Sequence, residues 1–482
     1  MKKLTRRDFL KTTAMVGGAT VLAACGQPAA APTATTAPKA EEPKKEEPTA
    51  APKLDLPFEV AADAVNPLKM PEPVTAEGVF FSGGYGHAYI QYGADLFAKV
   101  HPGSKLTVEP IQGVGEKLRP RFVGGNPPDV IDNSGAGALD YGALVSEGQL
   151  LDLAPLMAAM SLDNPGKTFE QSLFPGSQDG NLIDGKLYAV NVGYTVAGIW
   201  YSSTLFKDKG WTYPKTWPEM LALCETIKTA GIAPWTYQGK YPGYMLFGCL
   251  HHMIFKKGGM KAMIDIDNLE DKAWYSDAVV SSVKEMYQLY ENKYIMEGTE
   301  GLNHTESQAE WLKGKAVFIP CGTWLENEMK SSTPEGFDMV INQVPGEGDA
   351  CLAAGGEPFI VPSKAKNPIA GMEYLRCLMS KDSAKYFAVN VSSMMPVYGG
   401  TEGVKVSAGM ESAVKLAEVC AGKTFPWMNY GGWYSDLGKE ADAKTGELLT
   451  GKINPDQYIE AVQKMADKVK ADPEVTKFKR TK

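Results

Sequence analysis

Histidine is scarce in this chain, and its cysteines stand apart from one another. There are five histidines and seven cysteines in 482 residues, and no two cysteines have CxxC spacing. Zinc ribbons and thioredoxin-type redox sites are therefore excluded. His251 and His252 are adjacent in a helical pattern, so they point about 100° apart and do not readily share an ion. The sequence predicts neither a metal site nor a cofactor, and it leaves open whether the six cysteines after Cys25 form disulfides.

Clusters of positive charge and long apolar runs are also missing. The net charge is −8, and the first 24 residues carry more basic than acidic side chains, so the remainder is more acidic still. An acidic body without a basic patch argues against nucleic acid as a partner. No stretch beyond the N-terminus reaches the roughly 20 apolar residues of a membrane-spanning helix. The glycine-rich segment FSGGYG (81–86) fits neither a P-loop nor a dinucleotide fingerprint.

The N-terminus has the features of an export signal. A basic head with Arg6 and Arg7 precedes the apolar run Thr12–Ala24, which is too short to span a bilayer. The run ends in Leu-Ala-Ala-Cys25, which resembles the lipobox of bacterial lipoproteins. We therefore predict a twin-arginine-type signal peptide over 1–24 and a lipid on Cys25 that anchors the protein to the membrane. The alternative is cleavage by an ordinary peptidase, which would leave Cys25 without a role.

Residues 25–55 are predicted to form a disordered linker. The stretch 26–53 has no aromatic and no large aliphatic residue, so it cannot bury enough apolar area to offset its ordering entropy. Its prolines favour extended polyproline II, at about 3.1 Å per residue, which gives a reach of roughly 90 Å. Such a tether would hold a globular body away from the membrane surface.

Beyond the linker, strand-like and helical patterns alternate. The segment 78–83 is strand-like, and 89–100 has helical spacing until His101-Pro102-Gly103 stops it. Paired extended segments follow around 185–210, and a new helix begins with a capping box of Thr216 and Glu219. This alternation predicts an α/β protein with two lobes and a cleft between them.

One strand-to-helix junction carries an unusual aromatic residue. The apolar run Ala316–Ile319 is predicted to be a strand that ends at the breaker Pro320. Trp324 then opens a helical-looking stretch, outside the apolar run. Because ligands of α/β proteins bind beyond the carboxyl ends of strands, Trp324 is predicted to contact a ligand, with core packing as the alternative.

Three segments resemble a known family. The stretches 184–211, 311–329 and 355–379 are similar to the first crossing, the G-x-W segment and the return crossing of family 1 extracellular solute-binding proteins, the sugar-binding lipoproteins of ABC importers. The resemblance covers the chain from about Phe80 to its end. Within the family, 236–245 and 298–330 look most like members that bind N-acetylglucosamine and diacetylchitobiose.

The resemblance implies a two-lobed, type II periplasmic-binding-protein-like α/β fold. Its lobes would be an N-lobe of 56–190 and 357–395 and a C-lobe of 191–356 and 396–482. Its three hinge crossings would lie near Tyr188–Tyr194, Ala353–Phe359 and Met394–Tyr398. Such a fold closes around its ligand by hinge motion.

The resemblance also implies a function. The chain would be an extracytoplasmic, monomeric, non-enzymatic receptor that binds a sugar and delivers it to the permease subunits of an ABC transporter. A secreted glycoside hydrolase is one alternative, since Glu326, Glu328 and Glu357 could supply its two carboxylates. No segment resembles a hydrolase signature. A receptor for a solute other than a sugar is the other alternative.

The predicted sugar-binding residues are aromatic and polar. Flat rings suit the C–H faces of a sugar, and carboxylates and amides suit its hydroxyls. Trp324 matches the family position at which an aromatic ring stacks on the sugar, and one of Tyr241 and Tyr244 matches a second. The loop 425–436 adds further rings, although it could instead be a lid that packs on its own lobe. The predicted set is Trp324, Tyr241, Tyr244, Trp427, Trp433, Tyr434, Asn133, Ser134, Glu357 and Glu326, and each polar member has a solvated-surface alternative.

Overall fold

The computed structural model describes residues 55–135, 137–420 and 423–481. The predicted signal peptide, Cys25 and nearly all of the predicted linker lie outside the described residues. These described residues belong to one compact unit. Within the described ranges, no helix is both long enough and apolar enough to cross a bilayer.

Thirteen strands are assigned in the described residues. In chain order they are β1 (Thr75–Phe81), β2 (Lys105–Ile111), β3 (Val130–Asp132), β4 (Leu182–Ile183), β5 (Lys186–Leu187), β6 (Val190–Asn191), β7 (Thr195–Ser202), β8 (Ala233–Trp235), β9 (Ala316–Gly322), β10 (Met339–Asn342), β11 (Leu352–Gly355), β12 (Pro358–Ile360) and β13 (Thr424–Pro426).

The strands form two main sheets. The first has the order β2-β1-β3-β12-β6, and β1 runs parallel to both β2 and β3. The second has the order β13-β11-β7-β9-β8, and β10 also pairs with β7. Strands β4 and β5 form a separate hairpin. We call the first sheet with the helices packed on it the N-lobe, and the second sheet with its helices the C-lobe.

Helices connect and cover both sheets. The α-helices are Ala88–Val100, Val114–Val123, Tyr141–Ser146, Ala154–Ala158, Ser203–Lys209, Trp217–Thr229, Gly243–Met245, His251–Asp267, Asp277–Glu291, His304–Leu312, Trp324–Met329, Pro368–Leu378, Lys381–Asn390, Ala408–Val419, Tyr430–Trp433, Ser435–Leu449 and Pro455–Ala471. Leu246–Leu250 is a π-helical turn, and short 3-10 turns span Ala62–Ala64, Glu170–Ser172, Asp179–Asn181, Ala273–Tyr275 and Thr299–Gly301. These elements confirm the predicted α/β class.

Local signals in the sequence explain where several helices begin and end. Helix Ala88–Val100 buries one apolar face and ends at His101, whose backbone N–H donates to the carbonyl of Phe97. Helix Trp217–Thr229 begins at the predicted capping box, in which the Thr216 and Glu219 side chains each satisfy the other's backbone N–H. The predicted start of both helices is confirmed to within one residue.

The chain passes between the two sheets three times. It leaves β6 of the first sheet for β7 of the second, and it returns from β11 to β12. The third passage follows helix Lys381–Asn390, and there Met394 forms a bridge with Tyr194 of the first passage. The first and third passages therefore run side by side, and three passages are the number that the resemblance implied. The residue boundaries predicted for the two lobes stay a prediction.

Each lobe has its own apolar core. In the N-lobe, Phe80, Tyr89 and Phe97 pack with Phe359 and Tyr374 between the sheet and helices Ala88–Val100 and Pro368–Leu378. In the C-lobe, Trp217, Trp235 and Phe318 belong to a larger buried cluster that extends into the C-terminal helices. The six cysteines after Cys25 are all buried and free, so the described residues contain no disulfide.

The predicted strand end at Pro320 was wrong, because β9 continues through Pro320 to Gly322. Pro320 lies opposite Ile199 of β7, and its carbonyl accepts from the Gln238 side chain on the other edge, 3.0 Å away. The N and O of one strand residue point to the same edge, so the missing N–H faces away from β7. Strand β8 pairs only as far as Phe318, and proline is tolerated at such an unpaired edge.

Candidate functional site

Four aromatic rings of the C-lobe form a connected cluster. Trp324 opens the helix after β9, Tyr244 lies just before the π-helical turn, Phe247 lies within that turn, and Trp427 follows β13. The ring centroids of Trp324 lie 5.9 Å from Tyr244, 5.9 Å from Phe247 and 6.2 Å from Trp427. Phe247 and Trp427 are stacked at 5.3 Å. All four side chains are partly exposed, so the cluster presents flat apolar surface to a ligand.

Glycines let two of these rings approach the backbone closely. A Cβ on Gly84, in the loop after β1, would lie 2.9 Å from Trp324. A Cβ on Gly355, at the end of β11, would lie 2.6 Å from the Trp427 ring. Gly84 belongs to the N-lobe, so Trp324 lies where the two lobes meet. The cluster therefore occupies the boundary between the lobes rather than the interior of one of them.

One ring of the cluster carries an unused donor. The indole N–H of Trp427 is buried and has no acceptor among the described residues. Buried polar groups in native proteins are normally hydrogen-bonded. A ligand hydroxyl or carbonyl beside Trp427 would satisfy this donor.

Hydrogen bonds join the lobes beside Trp324. The Asn327 side chain donates to the Gly84 carbonyl oxygen at 2.6 Å. The hydroxyl of Tyr85 lies 2.6 Å from that of Thr195 at the first passage and 3.3 Å from that of Thr323 in the C-lobe. Ser393 of the third passage completes this buried group, 3.2 Å from Thr323. The lobes and two of their connections thus meet in one polar network.

Two carboxyl groups of the N-lobe lie close to this boundary. Asp132 ends β3, and Glu357 precedes β12 and accepts from the Tyr89 hydroxyl at 2.6 Å. Burial raises the pKa of Glu357 to about 7. Burial, and then repulsion from Glu357, raises the pKa of Asp132 well above its ordinary value. Ser134 donates to one oxygen of Asp132.

Two of the predicted polar residues have structural partners. The Asn133 side chain accepts from the Leu139 N–H at 2.8 Å and donates to the Leu139 carbonyl, so it closes the loop after β3. Glu326 accepts from the Ser407 hydroxyl at 2.7 Å, beside the start of helix Ala408–Val419. Neither side chain joins the aromatic cluster in this structure. Their role in binding stays a prediction.

Tyr241 lies near the cluster but faces a different group. Its side chain is 42% exposed, and its ring lies 5.7 Å from that of His304. His304 in turn lies 3.3 Å from Glu328, and this hydrogen bond raises the His304 pKa. Of the two tyrosines predicted for one position, Tyr244 is the one that contacts Trp324.

Trp433 and Tyr434 lie elsewhere. Both side chains are buried, at 4% and 3% exposure, and their rings pack against Phe478 near the C-terminus. The Tyr434 hydroxyl accepts from the Phe478 backbone N–H at 3.0 Å. The structure does not bring these two residues to the aromatic cluster, and their predicted contact with a sugar stays untested.

Reasoning from the sequence missed Phe247, Asp132 and Tyr89. Phe247 lies in the apolar stretch MLFGCLHHMIF (245–255), where it cannot be distinguished from core residues. Tyr89 likewise occupies the buried face of a regular helix. Asp132 did carry a signal, because it is a carboxylate at the carboxyl end of a buried strand.

One further group of side chains is spaced closely enough to suggest a metal. His101, Glu373 and Cys377 bring potential ligand atoms within 4.8 Å of one another. Glu373 is already engaged by Arg376, and the two nitrogens of His101 lie 2.6 Å from Glu72 and 2.8 Å from Glu373. These contacts describe a buried ion-pair group that lacks open ligand positions.

The site can bind a ligand without making or breaking covalent bonds. Flat rings and nearby carboxyl groups suit a ligand with apolar C–H faces and many hydroxyl groups. Concave sites at domain boundaries with a few placed polar groups are the usual setting for small-molecule ligands. The geometry thus fits recognition of a polyhydroxylated small molecule.

Comparison with known proteins identifies relatives of most of the chain. Residues 83–385 match the family model described as bacterial extracellular solute-binding protein, and residues 3–23 match the twin-arginine translocation pathway signal sequence. The chain is 33% identical over 435 residues to the diacetylchitobiose binding protein NgcE of Streptomyces coelicolor, which covers 86% of this chain and 89% of that protein.

Solved structures share the fold. A chitin oligosaccharide binding protein superposes with a TM-score of 0.65 at 19% identity, over 79% of this chain and 94% of that one. The SBP RafE in complex with raffinose has a TM-score of 0.64 at 17% identity, over 82% and 100% of the two chains. The predicted two-lobed fold, the family resemblance and the twin-arginine signal are confirmed. The export signal and the family place the body on the extracytoplasmic side, and the chain belongs to the bacterial extracellular solute-binding protein family.

Proposed function

We propose that this protein is the sugar-binding receptor of an ABC importer and that its ligand is diacetylchitobiose or a short relative of it. The observation that carries the proposal is the aromatic cluster of Trp324, Tyr244, Phe247 and Trp427 at the boundary between the lobes. The ligand of the 33% identical relative, as its name states it, supports the narrower choice.

In this proposal, binding and lobe closure are linked. Trp324 stacks on one sugar ring, and Trp427 donates its unused N–H to a ligand oxygen. A ligand that touches both lobes shifts the population towards the closed arrangement, in which Asn327 also bonds to Gly84. The permease then receives the sugar from one closed, monomeric receptor whose lobes turn about the three passages.

Ligand binding is tested by thermal unfolding of the purified protein with a panel of sugars. Diacetylchitobiose at 100 times its Kd should add about 2.7 kcal/mol to the free energy of unfolding and so raise the Tm. N-acetylglucosamine should give a smaller rise, and maltose none. A Tm that responds to none of the sugars would refute a sugar receptor, and a response to maltose alone would refute the narrower assignment.

The same incubations test the hydrolase alternative. The relatives found are solute-binding proteins rather than enzymes. The disaccharide should therefore be recovered intact after prolonged incubation. Release of free N-acetylglucosamine would favour the glycoside hydrolase instead.

We further propose that the exported protein is held at the membrane by a lipid on Cys25. The Leu-Ala-Ala-Cys motif and the aromatic-free stretch that follows it support this proposal. Replacing Cys25 by Ala should leave export intact and move the protein from the membrane fraction to the soluble extracytoplasmic fraction, because no lipid can be attached. Fractionation and labelling with a radioactive fatty acid measure both effects.

A matched control separates anchoring from export. Changing Arg6 and Arg7 together to Lys should keep the protein in the cytoplasm, because twin-arginine export depends on that pair. A C25A protein that still incorporates fatty acid and stays with the membrane would show that Cys25 is not the anchor.

A further inference from the structure

We propose that Asp132 and Glu357, which share one face of the N-lobe sheet close to the boundary between the lobes, form a subsite for a protonated amino group of the ligand. The proposal rests on the proposed function and deepens it. It adds amino sugars with a free ammonium group, such as the de-N-acetylated disaccharide of glucosamine, to the ligands of this receptor.

Strand pairing brings the two carboxyl groups together. Asp132 is paired with Phe359 across β3 and β12, and Glu357 is two residues before Phe359. Paired residues of neighbouring strands lie on the same face, and so do residues two apart along extended backbone, so Asp132, Phe359 and Glu357 share a face. The Tyr89 hydroxyl donates to Glu357 on that same face.

Glu357 also connects this face to the aromatic cluster. It lies two residues after Gly355, on which the Trp427 ring rests, and its own side chain is partly exposed. A ligand stacked in the cluster therefore has a short path to the carboxyl pair.

Among the described residues, no cationic side chain acts on the pair. Asp132 is fully buried, and its Oδ2 atom has no hydrogen-bond partner among the described residues. The titratable groups that face the pair are the phenols of Tyr85, Tyr89 and Tyr374, none of which supplies a positive charge. A buried carboxylate without a cation or a full set of donors is costly. A cationic donor from the ligand would remove that cost.

The electrostatics of the pair also favour a cationic ligand. Burial raises the pKa of both groups, that of Glu357 to about 7, so near neutral pH the pair retains a proton. An ammonium group stabilises the ionised carboxylates and lowers their pKa. Its binding should therefore release that proton to solvent. The pair still carries negative charge, so it should reject uronic acids and sugar phosphates, whose negative charge it repels.

Calorimetric titration compares two disaccharides that differ only at nitrogen. Glucosamine disaccharide and diacetylchitobiose are titrated at pH 7 into the wild-type protein and into Glu357→Gln and Asp132→Asn. Each variant removes one charge-assisted hydrogen bond to the ammonium group. The ratio of the affinity for the amine ligand to that for the acetylated ligand should therefore fall by roughly tenfold. The control Glu109→Gln removes an exposed carboxylate of the same lobe, paired with Lys117, and should leave the ratio unchanged.

A second measurement needs no variant. Wild-type titrations in two buffers of different ionisation enthalpy should reveal proton release with the amine ligand and less with the acetylated one. The inference is overturned if wild type binds diacetylchitobiose but not the amine form, if no proton is released, or if both variants keep the wild-type ratio. Binding of neither disaccharide would instead refute the diacetylchitobiose assignment made in the proposed function.

Discussion

Trp324→Ala is expected to weaken diacetylchitobiose binding by about 1–3 kcal/mol, which is roughly a 5- to 150-fold rise in Kd. The substitution removes the ring at the centre of the cluster, which contacts Tyr244, Phe247 and Trp427. It therefore removes one stacking surface and loosens the three rings that pack against it. Titration calorimetry measures the change, and Trp324→Phe should recover part of the loss because it keeps a flat ring.

A control distinguishes this effect from a general loss of aromatic surface. Tyr275 is 48% exposed on a 3-10 turn of the C-lobe, outside the cluster, and Tyr275→Ala should bind the sugar normally. Thermal unfolding of Trp324→Ala checks that the fold persists, since the indole also packs against both lobes. Wild-type affinity in Trp324→Ala would mean that the ring is purely structural and that the site lies elsewhere.

The second large effect is expected on stability, from Arg376→Met in the N-lobe. Arg376 is fully buried, and its Nε donates to Glu373 at 2.9 Å. It also donates to the Met160 carbonyl at 3.1 Å. Removing the guanidinium leaves the Glu373 carboxylate buried without its main partner, so the free energy of unfolding should fall by about 3–5 kcal/mol. Urea denaturation followed by tryptophan fluorescence measures the loss.

Two further variants test the physical reason. In the double variant Glu373→Leu/Arg376→Met both charges are gone, so much of the lost stability should return. Lys415→Met breaks an exposed pair with Glu411 and should change stability by less than about 1 kcal/mol. If Arg376→Met were no less stable than Lys415→Met, the buried pair would not stabilise the fold.

Much of the fold could be predicted because its signals are local. The helix 88–100 follows from its apolar spacing, and the capping box of Thr216 and Glu219 marks a start that the structure shares. The strand end predicted at Pro320 was wrong because the effect of a proline depends on the neighbouring strand. Proline breaks a strand where a neighbouring strand requires a backbone N–H at that position. Strand β8 ends before it reaches Pro320, so no N–H is required there.

The aromatic part of the site could be predicted only in part. Trp324, Tyr244 and Trp427 lie together in the structure, whereas Trp433 and Tyr434 pack on Phe478, which is far along the chain. The loop 425–436 offers several rings that look equivalent in the sequence. Which of them faces the lobe boundary depends on what each packs against, and that partner is distant in sequence.

The sequence by itself determined the export signal, the α/β class, the family and the residue types suited to a sugar. The family follows from the resemblance of three segments, and the rest follows from composition, spacing and short motifs, which act within a few neighbouring residues. Only the tertiary structure decided that Asp132, Tyr89 and Glu357 form one group and that Gly84 admits the Trp324 ring. These contacts join segments up to 268 residues apart, because strand pairing and lobe packing bring them together.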